Sequence, residues 1–395
     1  MKLTREEREM LAGKGGNAVK KSMGILVALG EIYGAEKLID VTSVQIAGVS
    51  YDNLGDAGLE FLAEMAKDGK VKVLTTLNPA GMDLENWQQL GISPEFAEKQ
   101  KLVIEAFRKM GVVTTCTCTP YFIGNSPHFG EHIAWSESSA VAFSNSVLGA
   151  RTNREGGPSA LAAALTGKTP AYGLHLDNNR KAEVVVEVKA EMDEELVDFG
   201  ALGKVIGDKI KNKIPLITGI KKASVDELKT FSASIATYGG TALYHIEGIT
   251  PDKTSATNAP GTRVVVSQED IERAKKEMDD DSEVDLVSVG CPHCSLQEIQ
   301  KLAELLAGKK VKKEFWVCVA RPIKKIAEQM GYAKTIEDSG AKFACDTCMV
   351  VAPIKGRFTG MATNSAKSVY YARSKNQFKT VYRNMEKCVE IALKG

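Results

Sequence analysis

Charge of one sign is missing from this sequence: 51 Lys and Arg stand against 50 Asp and Glu, a formal net charge of +1. A chain without a global field does not gather nucleic acid or anionic membrane electrostatically, so any anionic partner must be recognised locally. Long apolar runs are missing too, and none approaches the ~20 residues that span a bilayer. The first ten residues are charged and helical in pattern, with no apolar stretch before a small-residue cleavage site; no secretory signal is expected, and a cytoplasmic location is. Gly13-Lys14-Gly15-Gly16 lacks the glycine-to-lysine spacing and the following Ser or Thr of a phosphate loop. What remains is a globular composition, 44% hydrophobic and 26% charged over 395 residues. That excludes disordered and fibrous classes and leaves room for about two or three domains.

Helix and strand periods alternate along the chain. Helical spacing over 18–33, 57–67 and 95–110 brackets β-branched runs at 43–47, 71–77 and 112–115. A stretch rich in Gly, Ser, Asn and His from Pro120 to Pro158 is interrupted by a helix predicted over 138–148, which suits a site-forming loop region. Strands at 182–188, 214–218 and 242–246 alternate with helices at 194–210 and 225–236, and a further strand is expected from Arg263. Strands separated by helices need crossover connections, so the fold class is α/β with mainly parallel sheets flanked by helices. Three α/β regions are expected, 1–180, 181–262 and 263–395. The tail from Gln377 reads as one amphipathic helix, with Val381, Met385, Cys388 and Ile391 at helical spacing.

Eight cysteines in a reducing compartment are poor candidates for structural disulfides. Six form three pairs, Cys116 with Cys118, Cys291 with Cys294, and Cys345 with Cys348, each just past a predicted strand. Free Cys is often simply a small buried hydrophobe, the reading that suits Cys318 and Cys388. Pairing beside Pro, Thr and Asp is less like core and points to a shared metal or cluster. Cys291-Pro292-His293-Cys294 alone has the pattern of a thioredoxin-like dithiol, which would leave two pairs unexplained. A zinc site from Cys291, Cys294, Cys345 and Cys348 would need two CxxC units far more widely separated than the compact pattern. An iron-sulfur cluster draws thiolates from distant loops.

The motifs around these cysteines carry a resemblance. Gly48-Val49-Ser50-Tyr51-Asp52 with Gly55-Asp56, and Thr75-Thr76-Leu77-Asn78-Pro79 with Gly81-Met82-Asp83, precede Thr117-Cys118-Thr119-Pro120-Tyr121. Gly130-Glu131-His132 with 135–139 and Ala150-Arg151-Thr152-Asn153-Arg154-Glu155-Gly156-Gly157 follow, then Gly290-Cys291-Pro292-His293 and Asp346-Thr347-Cys348. In this order, over essentially the whole chain, they resemble the aconitase X family. The resemblance implies an aconitase-like architecture without the swivelling domain, which a small partner subunit would carry together with the catalytic serine. It implies a 4Fe-4S cluster held by Cys118, Cys291 and Cys348 with one iron left open, Cys116, Cys294 and Cys345 being neighbours. The activity it implies is hydro-lyase: dehydration of 5-phosphomevalonate to trans-anhydromevalonate 5-phosphate, with cis-3-hydroxy-L-proline as the alternative substrate and a zinc-stapled interaction subunit as the non-enzymatic one.

The remaining motifs suit a small anionic hydroxy acid. Gly48, Val49 and Ser50 follow a strand and can offer backbone N–H groups to an anion, though a loop glycine also serves as a plain turn. Asn78 and Pro79 end the next strand. Ser138 and Ser139 open a helix, where they can bind an anion or act as ordinary caps. Arg151 and Arg154 flank Asn153, and Lys367 with Ser368 offers another phosphate grip. His128, His132 and His293 lie in matched motifs, whereas His175 and His245 read as structural.

Overall fold

The computed structural model describes residues 1–192, 196–252 and 261–394. Its three larger sheets are wholly parallel, as crossover helices require. The first has three strands in the order Leu74–Leu77, Ser43–Ile46, Ala134–Trp135. The second has four, His245–Ile246, Pro215–Thr218, Val184–Val188 and Arg263–Val266. The third has five, Lys342–Cys345, Glu314–Val319, Leu286–Cys294, Gly360–Thr363 and Lys379–Tyr382. One antiparallel pair, Leu38–Asp40 with Lys168–Pro170, closes the base of the first region. Among the described residues no helix is long and apolar enough to cross a membrane.

The helices start where sequence chemistry says they should. Ser224 with Glu227, Ser267 with Asp270 and Ser295 with Glu298 form reciprocal capping boxes, and Ser93 caps a helix that has Pro94 at its first position. Helices Leu196–Ile210 and Val225–Gly239 pack almost backbone to backbone. A Cβ on Gly207 would lie 2.7 Å from the Gly239 nitrogen, and one on Gly203 2.6 Å from Ser234 Cβ. Overpacking this seam with Gly207→Val is expected to cost about 1–3 kcal/mol or more. A chemical-denaturation midpoint equal to the parent's would contradict that packing.

The structure corrects several expectations. Strand Arg263–Val266 was expected to open the third region; it pairs instead with Val184–Val188, so a boundary at 262/263 would cut the four-stranded sheet. The tail from Gln377 is not one helix: Val381 lies on the edge strand Lys379–Tyr382, and only Met385–Leu393 is helical, with Asn384 as its cap. Parallel pairing to Gly360–Thr363, with Thr380, Val381 and Tyr382 all buried, overrides the helical spacing there. The run 112–115 makes only a single bridge, Val113 to Thr76, because it leaves the sheet toward Cys116. The helix expected over 138–148 is α-helical only to Phe143 and continues as a wider π-helical turn to Leu148.

These sheets position the site. Asn78, Ser136 and Ala47 follow strands of the three-stranded sheet, whereas Cys291, Cys348 and Lys367 lie at or beyond the carboxyl ends of strands in the five-stranded one. Carboxyl ends of parallel strands are where open α/β sheets bind ligands.

Candidate active site between the first and third regions

A cavity of about 460 Å³ opens between these two sheets, and Cys118, Cys291 and Cys348 all line it. Each pair of cysteines divides the same way. Cys116 packs in the core of the first region, while Cys294 and Cys345 pack in the core of the third. Neither a four-thiol set from the two CxxC units nor a dithiol of Cys291 with Cys294 is gathered, since one member of each unit turns into apolar core. All eight cysteines are free thiols. Burial pushes the Cys118 and Cys348 thiols well above their ordinary value and raises Cys291 as well.

His293 ties the three cysteine loops together. Its backbone N–H donates to Cys118 Sγ at 3.2 Å, its Nδ1 meets Thr117 Oγ1 at 2.9 Å, and its Nε2 meets the Thr347 carbonyl at 3.0 Å. Burial pushes its pKa down to about 4, so the ring is neutral near pH 7. The Cys348 loop is further pinned from behind: Arg321 bridges Asp83 and Asp346, and the Asp83 carboxylate accepts the Cys345 N–H at 3.0 Å. Breaking the tie with His293→Ala is expected to leave the buried Thr347 carbonyl unsatisfied and a hole where the ring was, and to lower stability by about 2 kcal/mol or more, read as an earlier thermal midpoint. An unchanged midpoint would show that the loops hold without it.

Above the thiols, Glu137 is the one carboxylate that lines the cavity. One of its oxygens pairs with Lys367, and the other accepts from Ser139 Oγ and from the Ala140 N–H. Burial disfavours both charges, but each is outweighed by the other, so the carboxyl stays below and the ammonium above its usual range. Toward solvent the cavity carries Arg154 and Lys375. No ion pair engages Arg154 among the described residues, whereas Lys375 pairs with Asp52 at 3.0 Å and donates to the Val350 carbonyl at 3.0 Å, a partly exposed pair that an incoming phosphate can displace.

Of the residues singled out from sequence, Cys118, Cys291, Cys348, Asn78, Pro79, Ser138, Arg154 and Lys367 share this cavity. Ser139 sits just behind it in the Glu137 network. Ser368 is buried, with its hydroxyl against the Cys291 thiol. Arg151 is elsewhere, held by Asp177 and the His175 carbonyl, and Asn153 is spent on the backbone of Tyr172 and Leu174. Their neighbour Arg154 points the other way because successive residues of this extended segment alternate faces. Gly48 borders an adjoining apolar cavity, the Val49 side chain is core, and Ser50 Oγ donates to the Val351 carbonyl, so the side chains of Val49 and Ser50 serve packing. His132 pairs with His175 through their Nδ1 atoms at 3.0 Å, and His128 lies exposed beside Glu131.

Sequence reasoning passed over Glu137 and Lys375. A carboxylate immediately before a Ser-Ser helix start reads as a cap, which it is, and nothing local signals its ion pair to a lysine 230 residues away. Lys375 had no signal short of the fold.

Comparison with known proteins agrees with this geometry. Models of the aconitase X first, second and third domains match residues 1–178, 182–276 and 284–394. The chain is 48% identical to the phosphomevalonate dehydratase large subunit of Methanosarcina mazei, covering 100% of this chain and 98% of that protein. The same protein of Methanocaldococcus jannaschii is also 48% identical, over 99% and 100% of the two chains. The cis-3-hydroxy-L-proline dehydratase of Hypocrea jecorina is 34% identical, and the match covers 69% of its length. The crystal structure of Thermococcus kodakaraensis aconitase X in its holo form superposes with a TM-score of 0.93 at 47% identity, over 99% of this chain and 100% of that one. With its parallel sheets, its cavity at their carboxyl ends and its likeness over full length, the chain belongs to the aconitase X family.

Proposed function

We propose that this chain is the large subunit of an iron-sulfur-dependent hydro-lyase that dehydrates (R)-5-phosphomevalonate to trans-anhydromevalonate 5-phosphate in a mevalonate pathway. The observation that carries the reading is one cavity with three thiols at its inner end and two cationic side chains toward solvent. Relatives that match at full length are named large subunits of that dehydratase, which supports a separate small subunit as partner.

The inner end fits a 4Fe-4S cluster held by Cys118, Cys291 and Cys348. Three sulfur donors open onto one space, and the hydroxyl of Thr347, next to Cys348 in sequence, is buried with no hydrogen-bond partner among the described residues, which a sulfide acceptor suits. Such a group, with one iron free of protein thiolate, supplies Lewis acidity toward a hydroxyl. This chain's residues do the rest: Arg154 and Lys375 bind the phosphate, Asn78, Ser136 and Ser138 offer hydrogen bonds to hydroxyl and carboxylate oxygens, and the walls of Pro79, Val350 and Val351 limit water. Among the described residues the carboxylate of the cavity, Glu137, is fully engaged and is not the base; proton removal falls to the partner's swivelling domain.

Arg154→Ala and Lys375→Ala are each expected to raise the KM for 5-phosphomevalonate by about tenfold or more through loss of a charge-assisted contact, with a smaller effect on kcat. Arg151→Ala, remote from the cavity, is expected to leave kcat/KM unchanged. Equal kcat/KM in parent, Arg154→Ala and Lys375→Ala would remove the phosphate assignment. Turnover of cis-3-hydroxy-L-proline in place of 5-phosphomevalonate would move the function to that dehydratase, whose substrate carries no phosphate for these two residues.

A further inference from the structure

Lys367 looks at first like a phosphate grip, but its ammonium is not available for one. Of its three N–H donors, one meets the Glu137 carboxylate and one points to Ser139 Oγ at 3.4 Å, which leaves a single direction for the cavity. Glu137 itself is fixed by Ser139 Oγ and by the Ala140 N–H at 2.9 Å. Both side chains are buried, with 6–7% of their side-chain surface exposed, in contrast to Arg154 at the mouth. A cation so placed cannot swing outward to follow a mobile phosphate. It faces the sulfur end, where its ammonium interacts with the Cys291 and Cys118 thiols.

We propose that Glu137 is a positioning residue for the dehydration: it holds the Lys367 ammonium at the sulfur end of the cavity, against the substrate oxygens placed there, and leaves the phosphate to Arg154 and Lys375. The cavity is thereby divided into an inner cation fixed by a carboxylate and outer cations that meet the incoming anion. The inner charge is correctly placed before substrate arrives, so no reorganisation is needed when charge develops on the reacting carboxylate and hydroxyl oxygens. Glu137 also joins the first region to the third, because Lys367 is 230 residues further along the chain. A purely structural bolt would show the same contact, so the test has to separate the two roles.

The proposal rests on the dehydratase reading, which turnover of 5-phosphomevalonate by the parental complex tests by itself. The experiment uses the cluster-reconstituted chain with its small subunit, comparing parent, Glu137→Gln, Lys367→Met and the double variant by kcat, KM, thermal midpoint, iron content and the electron paramagnetic resonance of the reduced cluster. For Glu137→Gln the expectation is a kcat about 100-fold lower, a KM within threefold of the parent and full iron content, with a shifted resonance because the nearby ammonium has moved. The double variant, which buries no unpaired charge, should recover the thermal midpoint lost by either single variant but not kcat. Recovery of kcat together with the midpoint would assign Glu137 a structural role only and overturn the proposal. So would a Glu137→Gln kcat within threefold of the parent, or a loss of kcat that merely tracks loss of iron.

Discussion

Serine in place of Cys118, Cys291 or Cys348 is expected to abolish iron retention after anaerobic reconstitution and to reduce dehydratase activity by more than the roughly 100-fold that changes around a metal site's outer contacts cost. A serine hydroxyl is a far poorer iron ligand than a thiolate, and each of these three side chains lines the cavity. The paired cysteines are the internal control. Cys116, Cys294 and Cys345 lie in apolar core, so serine there buries a hydroxyl and is expected to cost about 1–3 kcal/mol of stability while iron is kept. Near four irons and four sulfides per parental chain, falling sharply only in the first set, is the expected pattern. Full iron in any of the first three variants would strike that cysteine from the ligand set, and stoichiometric zinc in the parent would replace the cluster reading altogether.

The largest effect is expected from an omission. The reconstituted chain alone should turn over 5-phosphomevalonate at a rate near background, and addition of the small swivelling-domain subunit should raise it by at least the 10²- to 10⁴-fold typical of a placed general base. The one carboxylate of the cavity among the described residues is tied to Lys367, and His132 is turned away toward His175. Closure by a second polypeptide would also exclude water from the mouth, where Arg154 and Ser374 are exposed. Full turnover by this chain alone would return the base to it, with Ser139, within reach of Lys367, the first residue to replace.

How much of this was legible before the fold was known depends on whether the signal was local. The parallel α/β class was legible because strand and helix periods alternate so regularly, and the helix starts because capping serines act within three residues of themselves. The tail misled because Val381 satisfies a helical spacing that tertiary pairing overrides. Among the site residues, Cys118, Cys291 and Cys348 were chosen within their pairs by resemblance alone. Spacing has no means of telling which member of a pair turns to the cavity, and the backbone decides it: Cys116 is held at a positive φ of 45° just past its strand, with its side chain in the core. Arg151 and Arg154 are chemically equivalent in the sequence, and only strand alternation separates a surface ion pair from a cavity residue. Glu137 was invisible as more than a cap because its partner lies in another region.

The two halves of the cavity have a consequence for the order in which the protein can be made. Glu137 and Lys367 are 230 residues apart, and at roughly 5–20 residues per second a ribosome needs on the order of 10–50 s to travel between them. Cys118 has neither of its companion thiols until Cys291 has been made, 173 residues later (291 − 118), and the four-stranded unit, which contributes no lining residue among the described residues, is synthesised in between. A nascent chain therefore presents Cys118 with only its near neighbour Cys116, and on the cluster reading proposed above it becomes competent to receive iron and sulfide only after Cys348 and the strands of the five-stranded sheet are in place. On the cluster reading proposed above, cofactor delivery to this fold is a post-translational event that meets a finished tertiary structure, not an emerging segment.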